Sequence, residues 1–432
     1  MRFETDRPPS WQVCVACGSE LSATDPRSRC PRCGGLLEIV HRPPDLTAPE
    51  LLLRFTERRG RQPGASASGV WRFREIVLPG VEEIVSHPEG NTPLLHREAL
   101  DRWTGVAGLL LKHEGHNPTG SFKDRGMTVG VTQACRIGAR AVACASTGNT
   151  AASLAAYAAQ AGLPALVLVP AGNVASGKLA QSLAYGARTL VVRGGFDDCL
   201  RLVEEASERL GVYLLNSINP FRLEGQKTIV LELLQQLAWD PPDWIVLPAG
   251  NLGNTAAFGK ALREAHAWGL IERVPRLAAV QAAGAAPFAR SFEEGFVRRH
   301  RVEPETVATA IRIGDPASYD RAVRAIRETD GVVLAVSDAE ILEAKAAVDA
   351  CGVGCEPASA AGIAGARALV RRRAIALGAR VVAVLTGHVL KDPASLLYYH
   401  AEAEPPPPGA NRPVEIEADL GEVERVLDRH RG

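Results

Sequence analysis

Three times along this chain a short, wholly apolar run stops at a turn rich in glycine, asparagine or hydroxyl side chains. Residues 141–145 run into Ser146, Thr147, Gly148 and Asn149; residues 244–247 run into a proline, an alanine and then Gly250 to Asn254; residues 381–385 run into Thr386, Gly387 and His388. In the first two cases a helix-forming stretch follows, so the order is strand, turn, helix start. Further candidate strands lie at 108–112, 165–169, 189–193, 213–215 and 277–281, with helical segments at 151–161, 200–210, 223–237 and 255–267. Ser337 and Glu340 form a capping box that opens another helix to about residue 350. Strands alternating with helices imply βαβ units, and hence an α/β chain built on parallel sheets.

Open sheets of this kind bind ligands at the carboxyl ends of their strands, where these turns lie. The turn after 141–145 offers free backbone N–H groups and a helix N-terminus, which favour an anion such as a carboxylate. Ser146, Thr147 and Thr150 add hydroxyls, and Asn149 an amide. Gly250, Asn251, Leu252, Gly253 and Asn254 make a backbone nest able to hold a phosphate. It is neither the dinucleotide fingerprint nor a Walker loop. The hydroxyl of Thr386 projects at a strand end. His388 reads either as a base or as a structural residue of a glycine turn.

A lysine narrows the chemistry. Only seven of the 49 basic residues are lysines, and one of them, Lys123, lies in the run Asn-Pro-Thr-Gly-Ser-Phe-Lys-Asp-Arg-Gly at 117–126. Where arginine has taken nearly every surface position, a retained lysine points to an amine that can lose its proton and attack a carbonyl. The chemistry expected is a Schiff base to pyridoxal phosphate. A second cationic cluster, Lys178 and Arg222 with Asn216 and Ser217, suits another phosphate; the alternative is that Arg222 simply pairs with Glu224.

Together these segments resemble the threonine synthases, within the tryptophan-synthase-like (type II) pyridoxal-phosphate enzymes. The likeness runs from about residue 90 to about residue 393. Its more specific parts are 117–127, 177–181, 216–226, 356–361 and 385–388. The resemblance implies a two-lobed parallel-sheet fold with Lys123 as the Schiff-base lysine and Asn149 at the cofactor's ring hydroxyl. It further implies Gly250–Asn254 at the cofactor phosphate, Thr386 at the pyridine nitrogen, and Ser146, Thr147 and Thr150 among the substrate contacts. Lys178, Asn216, Ser217 and Arg222 match positions that bind the phosphate of O-phospho-L-homoserine. The implied reaction is a γ-elimination followed by β-addition of water, giving L-threonine and phosphate, in a homodimer. A cysteate synthase acting on O-phosphoserine and sulfite would share nearly every motif, and a non-catalytic relative stays open beside it.

Ahead of this region stand Cys14 and Cys17, then Cys30 and Cys33, each pair a Cys-x-x-Cys followed by glycine. Two such knuckles present four thiolates to a structural zinc ion and leave no open coordination position. Some threonine synthases carry a similar ribbon. The other five cysteines, Cys135, Cys144, Cys199, Cys351 and Cys355, read as small buried hydrophobes.

A chain of 432 residues suits two lobes plus an appendage. The expected division is a zinc ribbon at 10–40, an arm at 41–95 and a catalytic core at 96–400 with its smaller lobe at about 135–220. A proline-linked tail with a short helix, at about 415–430, follows at 401–432. Formal charge is zero, so nothing global steers the chain to nucleic acid or an acidic membrane. With no apolar leader and no long apolar run, the expected location is the cytoplasm.

Overall fold

The computed structural model describes residues 8–59, 64–172 and 176–429, the side chains of residues 176–178 and 429 excepted. It falls into two units, residues 1–391 and 392–432.

In the first unit, β1 (Ser10–Cys14), β2 (Glu20–Ser22) and β3 (Leu37–His41) form an antiparallel sheet in the order β2-β1-β3. Next come β4 (Leu94–His96) and β5 (Leu110–His113). β6 (Ala141–Ala145), β7 (Ala165–Pro170), β8 (Arg188–Val192) and β9 (Val212–Leu214) make a four-stranded parallel sheet in the order β8-β7-β6-β9. β10 (Trp244–Pro248), β11 (Arg276–Ala282), β12 (Val332–Val336) and β13 (Val381–Leu385) join β4 and β5 in a six-stranded sheet ordered β12-β11-β10-β13-β5-β4. Only β4 runs antiparallel there. The chain is thus α/β with two parallel-sheet lobes behind a small cysteine-bearing sheet.

β6, β10 and β13 are buried at every position, as expected of apolar strands covered by helices on both faces. The turns that follow β6 and β10 open the helices Asn149–Gln160 and Gly253–Ala267. Several expected boundaries move. The helical stretch 223–237 is two helices, Pro220–Gln226 and Thr228–Gln236, meeting at Lys227. The capping box opens the helix Asp338–Ala350 as anticipated. The stretch 41–95 holds the helix Ala48–Arg59, with Leu51 and Phe55 buried, followed by the fully buried Trp71 and Phe73.

In the second unit the short helices Pro393–Leu397 and Tyr398–Glu402 precede irregular chain and the helix Leu420–Arg429. This final helix starts later than the sequence suggested, and His430 lies outside the described residues. No helix among the described residues is long and apolar enough to cross a membrane.

Candidate active site

Two loops zip together to set the lysine. The Phe122 N–H donates to the Thr386 carbonyl at 3.0 Å, the His388 N–H donates to the Gly120 carbonyl at 2.9 Å, and Ser121 bridges Gly387. Lys123 is therefore the first residue of the helix Lys123–Arg136 and sits beside the strand end that carries Thr386. Its neighbour Asp124 accepts from the Thr119 N–H and hydroxyl at 2.7 and 2.6 Å and from the Ser153 hydroxyl at 2.6 Å. These bonds fasten the lysine loop to the helix Asn149–Gln160. Burial, and next the Arg222 guanidinium, bring the Lys123 amine down to about 7, with Glu356 opposing them. An amine so placed is substantially unprotonated near neutral pH.

Glu356 is the residue whose role the sequence did not disclose. Its carboxylate accepts from Asn149 Nδ2 at 3.0 Å and from the Thr386 hydroxyl at 3.2 Å, joining two residues 237 apart in number. Burial raises its pKa, opposed by those two hydrogen bonds and by Lys391 and Lys123. Ser359 holds the same corner: its hydroxyl accepts from the backbone N–H groups of Thr386 and Gly387 at 2.8 and 3.1 Å. A Cβ at Gly387 would run into the Glu356 carboxyl, so only glycine admits the acid there. The available signal was the run 356–361, an acid before a proline at the head of an alanine-rich helix.

His388 stands nearby, but its Nδ1 accepts from the Leu390 N–H at 3.2 Å, which gives it the structural part of a turn. Ser146, Thr147 and Thr150 are half-buried around the start of the helix Asn149–Gln160. At Gly148 a Cβ would meet nothing within 4 Å, so the space before that helix is open to an anion.

The turn after β10 is shaped as a nest. Leu252 takes a left-handed φ of 63° and precedes the helix Gly253–Ala267. Gly250 packs so closely on Ile311 that a Cβ would lie 2.8 Å from its Cα. Asn251 spends its amide on the Ser217 hydroxyl (2.7 Å) and the Ala317 N–H (2.7 Å), and Asn254 accepts from Gln226 Nε2 at 2.6 Å. Both side chains thus hold the loop and leave its main chain to face a ligand. Among the described residues the buried Thr255 hydroxyl has no hydrogen-bond partner. An orphaned hydroxyl at a helix N-terminus behind a left-handed turn is a donor set that fits a phosphate. With Lys123, Asn149 and Thr386, these residues fit pyridoxal phosphate.

The second cationic cluster is only partly assembled by the chain itself. Arg222 is fully buried; it donates to the Leu215 carbonyl at 3.1 Å, and among the described residues its Nε has no partner. Burial pulls its pKa to about 10, so it stays charged. It does not pair with Glu224, which instead meets His41, Lys227 and Lys260. Asn216 uses both ends of its amide on the Ala145 backbone, at 3.0 and 3.1 Å, and so fixes the end of β6. The Ser217 hydroxyl accepts from Asn251. The side chain of Lys178 lies outside the described residues.

In the ribbon, the Cys14 and Cys33 sulfurs are 3.4 Å apart and those of Cys17 and Cys30 3.7 Å, with all four within 4.8 Å of one another. A tetrahedral zinc with Zn–S near 2.3 Å needs sulfur–sulfur edges of about 3.8 Å, so the set fits zinc. Gly18 and Gly34 end the two knuckles at φ 72° and donate back to the Cys14 and Cys30 carbonyls at 2.9 and 2.8 Å. Cys144, Cys199 and Cys355 are buried and Cys135 and Cys351 half-buried, all as free thiols.

The family model described as "Pyridoxal-phosphate dependent enzyme" matches residues 85–387. A threonine synthase of Methanocaldococcus jannaschii is 43% identical over 423 residues, covering 96% of this chain and 99% of that one. One from Methanosarcina acetivorans is 45% identical over 386 residues, 89% of this chain and 93% of its own. Among solved structures, threonine synthase from Escherichia coli superposes with a TM-score of 0.67 at 19% identity, over 97% of this chain and all of that one. Maize serine racemase superposes at 0.60 and 21% identity, over 84% of this chain and 97% of that one.

Proposed function

The chain belongs to the pyridoxal-phosphate-dependent enzymes and, among them, to the threonine synthases, and from that membership we propose how its own residues make L-threonine from O-phospho-L-homoserine and water. In this reaction phosphate leaves Cγ, a hydroxyl from water arrives at Cβ, and a proton is delivered to Cγ. Pyridoxal phosphate, when bound, supplies the electron sink that makes protons at Cα and Cβ removable.

Lys123 would hold the cofactor covalently until substrate displaces it, after which its amine serves as the base and acid that moves protons at Cα and Cβ. Its pKa of about 7 suits both tasks near neutral pH. Asn149 would meet the cofactor's ring hydroxyl and Thr386 its ring nitrogen, the two kept in register by Glu356. The backbone of Gly250 to Asn254, with the Thr255 hydroxyl, would hold the cofactor phosphate. Ser146, Thr147 and Thr150 would receive the substrate carboxylate at a helix N-terminus. Arg222, with Lys178 and Ser217, would hold the leaving phosphate and offset the charge it gains as its bond to Cγ breaks. Asn216 shapes that end by fixing Ala145.

The observation that carries the reading is the pairing of the Gly120–Phe122 and Thr386–His388 segments, Phe122 N–H to the Thr386 carbonyl and His388 N–H to the Gly120 carbonyl, which seats Lys123 beside the Thr386 strand end. The test is an assay of phosphate release and threonine formation side by side. Equal amounts of both from O-phospho-L-homoserine, with little release from O-phosphoserine, support it. Preference for O-phosphoserine overturns the substrate assignment. The reading is completed by one zinc ion in the ribbon and by a homodimer working in the cytoplasm, where cysteines gathered as a metal centre stay reduced.

A further inference from the structure

The helix Pro220–Gln226 is buried at all seven positions and serves three masters. At 3.6 residues per turn, Arg222 and Gln226 lie four apart on one face, while Glu224 points to nearly the opposite side. One face therefore carries the phosphate-holding guanidinium and the Gln226 amide that grips Asn254 of the nest at 2.6 Å. The other face presents Glu224 to the ribbon, where its carboxylate meets His41 Nε2 at 2.7 Å, Lys227 at 2.6 Å and Lys260. Despite full burial, those cations and His41 hold the Glu224 carboxyl well below its usual range. Gly225 lets this helix sit against the Lys123–Arg136 helix, since a Cβ there would enter the Arg125 carbonyl.

His41 ends β3. Its other ring nitrogen bonds the Ser10 hydroxyl at 2.8 Å, and β1 pairs with β3 from Ser10 opposite His41 to Cys14 opposite Leu37. The two strands thus carry a metal ligand at one end and the partner of Glu224 at the other, about 14 Å away at 3.4 Å per residue. Between these ends β3 is nailed to the core by Arg324 on Glu38 at 2.5 Å and by Lys260 on the Ile39 carbonyl at 2.5 Å.

We propose that the ribbon braces the substrate site from behind: through His41 and Glu224, its metal-held strands keep the Pro220–Gln226 helix, and with it Arg222, where the substrate's phosphate is to be held. This rests on Arg222 being the phosphate ligand, as read above. His41 and Glu224 are positioning residues. They touch neither cofactor nor substrate, and their loss is felt at phosphate affinity.

The test uses the full chain loaded with cofactor and zinc. His41→Asn, which leaves all four cysteines in place, is compared with wild type and with wild type stripped of zinc by a chelator. Three quantities are read: the KM for O-phospho-L-homoserine, the affinity for inorganic phosphate by calorimetry, and amide hydrogen exchange. Both perturbed forms should bind inorganic phosphate about three- to tenfold more weakly and show a similar rise in KM. Cofactor absorbance should be kept, and exchange should quicken at 220–226 and not at 149–160. Glu224→Gln, which keeps the side chain's shape, should reproduce the affinity loss in part. Unchanged phosphate affinity after zinc removal would overturn the proposal. So would exchange rising uniformly through 149–160, since that reports general unfolding. If wild type released no phosphate from O-phospho-L-homoserine, the substrate reading would fail, while phosphate affinity and exchange would still decide the proposal.

Discussion

The two ends of the site differ in how far the protein satisfies them on its own. Around Lys123 several polar groups close on one another: Glu356 takes Asn149 and Thr386, and Ser359 takes the backbone after β13, although among the described residues the buried Ser121 hydroxyl finds no partner. Around Arg222 a fully buried guanidinium donates to the Leu215 carbonyl, and among the described residues its Nε finds no acceptor. A buried cation with idle donors costs free energy until an anion arrives. On the proposed reading the reacting end is largely shaped before anything binds, while the Arg222 end would keep donors in reserve for the phosphate. On that reading Arg222 also holds the phosphate of the intact substrate, and it favours departure to the extent that its bonds strengthen as charge builds on the leaving phosphate.

The sharpest way to break the comparison is Lys123→Ala. Loss of the proton carrier should cut turnover at least about a thousandfold and remove the visible absorbance of covalently held cofactor. Borohydride reduction of wild type should mark the peptide containing Lys123; a label on another lysine contradicts the assignment. Next is Arg222→Ala. Hydrogen bonds to charged groups are worth roughly 1.5–3 kcal/mol, so kcat/KM for O-phospho-L-homoserine should fall about ten- to a hundredfold with cofactor absorbance intact. Arg222→Lys should recover part of that loss, keeping charge without the fork.

Glu356→Ala should act at the opposite end. With Asn149 and Thr386 no longer joined, cofactor affinity should drop about tenfold, roughly the worth of one such hydrogen bond. The KM for substrate at saturating cofactor should stay within about twofold of wild type; a shift as large as that of Arg222→Ala would mean the two ends are not separable. The smallest effect is on pH. Cofactor loading needs the unprotonated amine, so the loading rate should rise with pH and level off above about 7, not near 10.5. Arg222→Ala removes a positive neighbour and so moves that midpoint up, while Glu356→Gln removes a negative one and moves it down. Stopped-flow absorbance across pH 5–10 measures both.

Much of this was legible because strands buried on both faces read as unbroken apolar runs, and the turns proposed to hold cofactor and substrate follow them directly. The cysteine knuckles were equally plain, since metal ligation fixes residue type and spacing together. What escaped reading joins residues far apart. Asn216 looks like a free donor in its own segment, yet its amide is committed to Ala145, 71 residues away. Glu224 looks like a helical neighbour for Arg222, yet it turns to His41, 183 residues away. β4 and β12 were missed too. β4 is only three residues long and not fully buried, so its pattern is faint. At β12, Val332 and Ala335 are only half-buried, although the run is apolar throughout. For Glu356 the run 356–361 marked the segment, but the two turns its carboxylate ties lie 207 and 30 residues away.

The central claim, that Arg222 is the reserved phosphate ligand, is tested most directly by titrating inorganic phosphate into cofactor-loaded protein in a calorimeter. Wild type should bind one phosphate per chain, in competition with O-phospho-L-homoserine, and cofactor-loaded Arg222→Ala should bind it at least about tenfold more weakly. Phosphate bound as tightly by Arg222→Ala as by wild type would contradict the account.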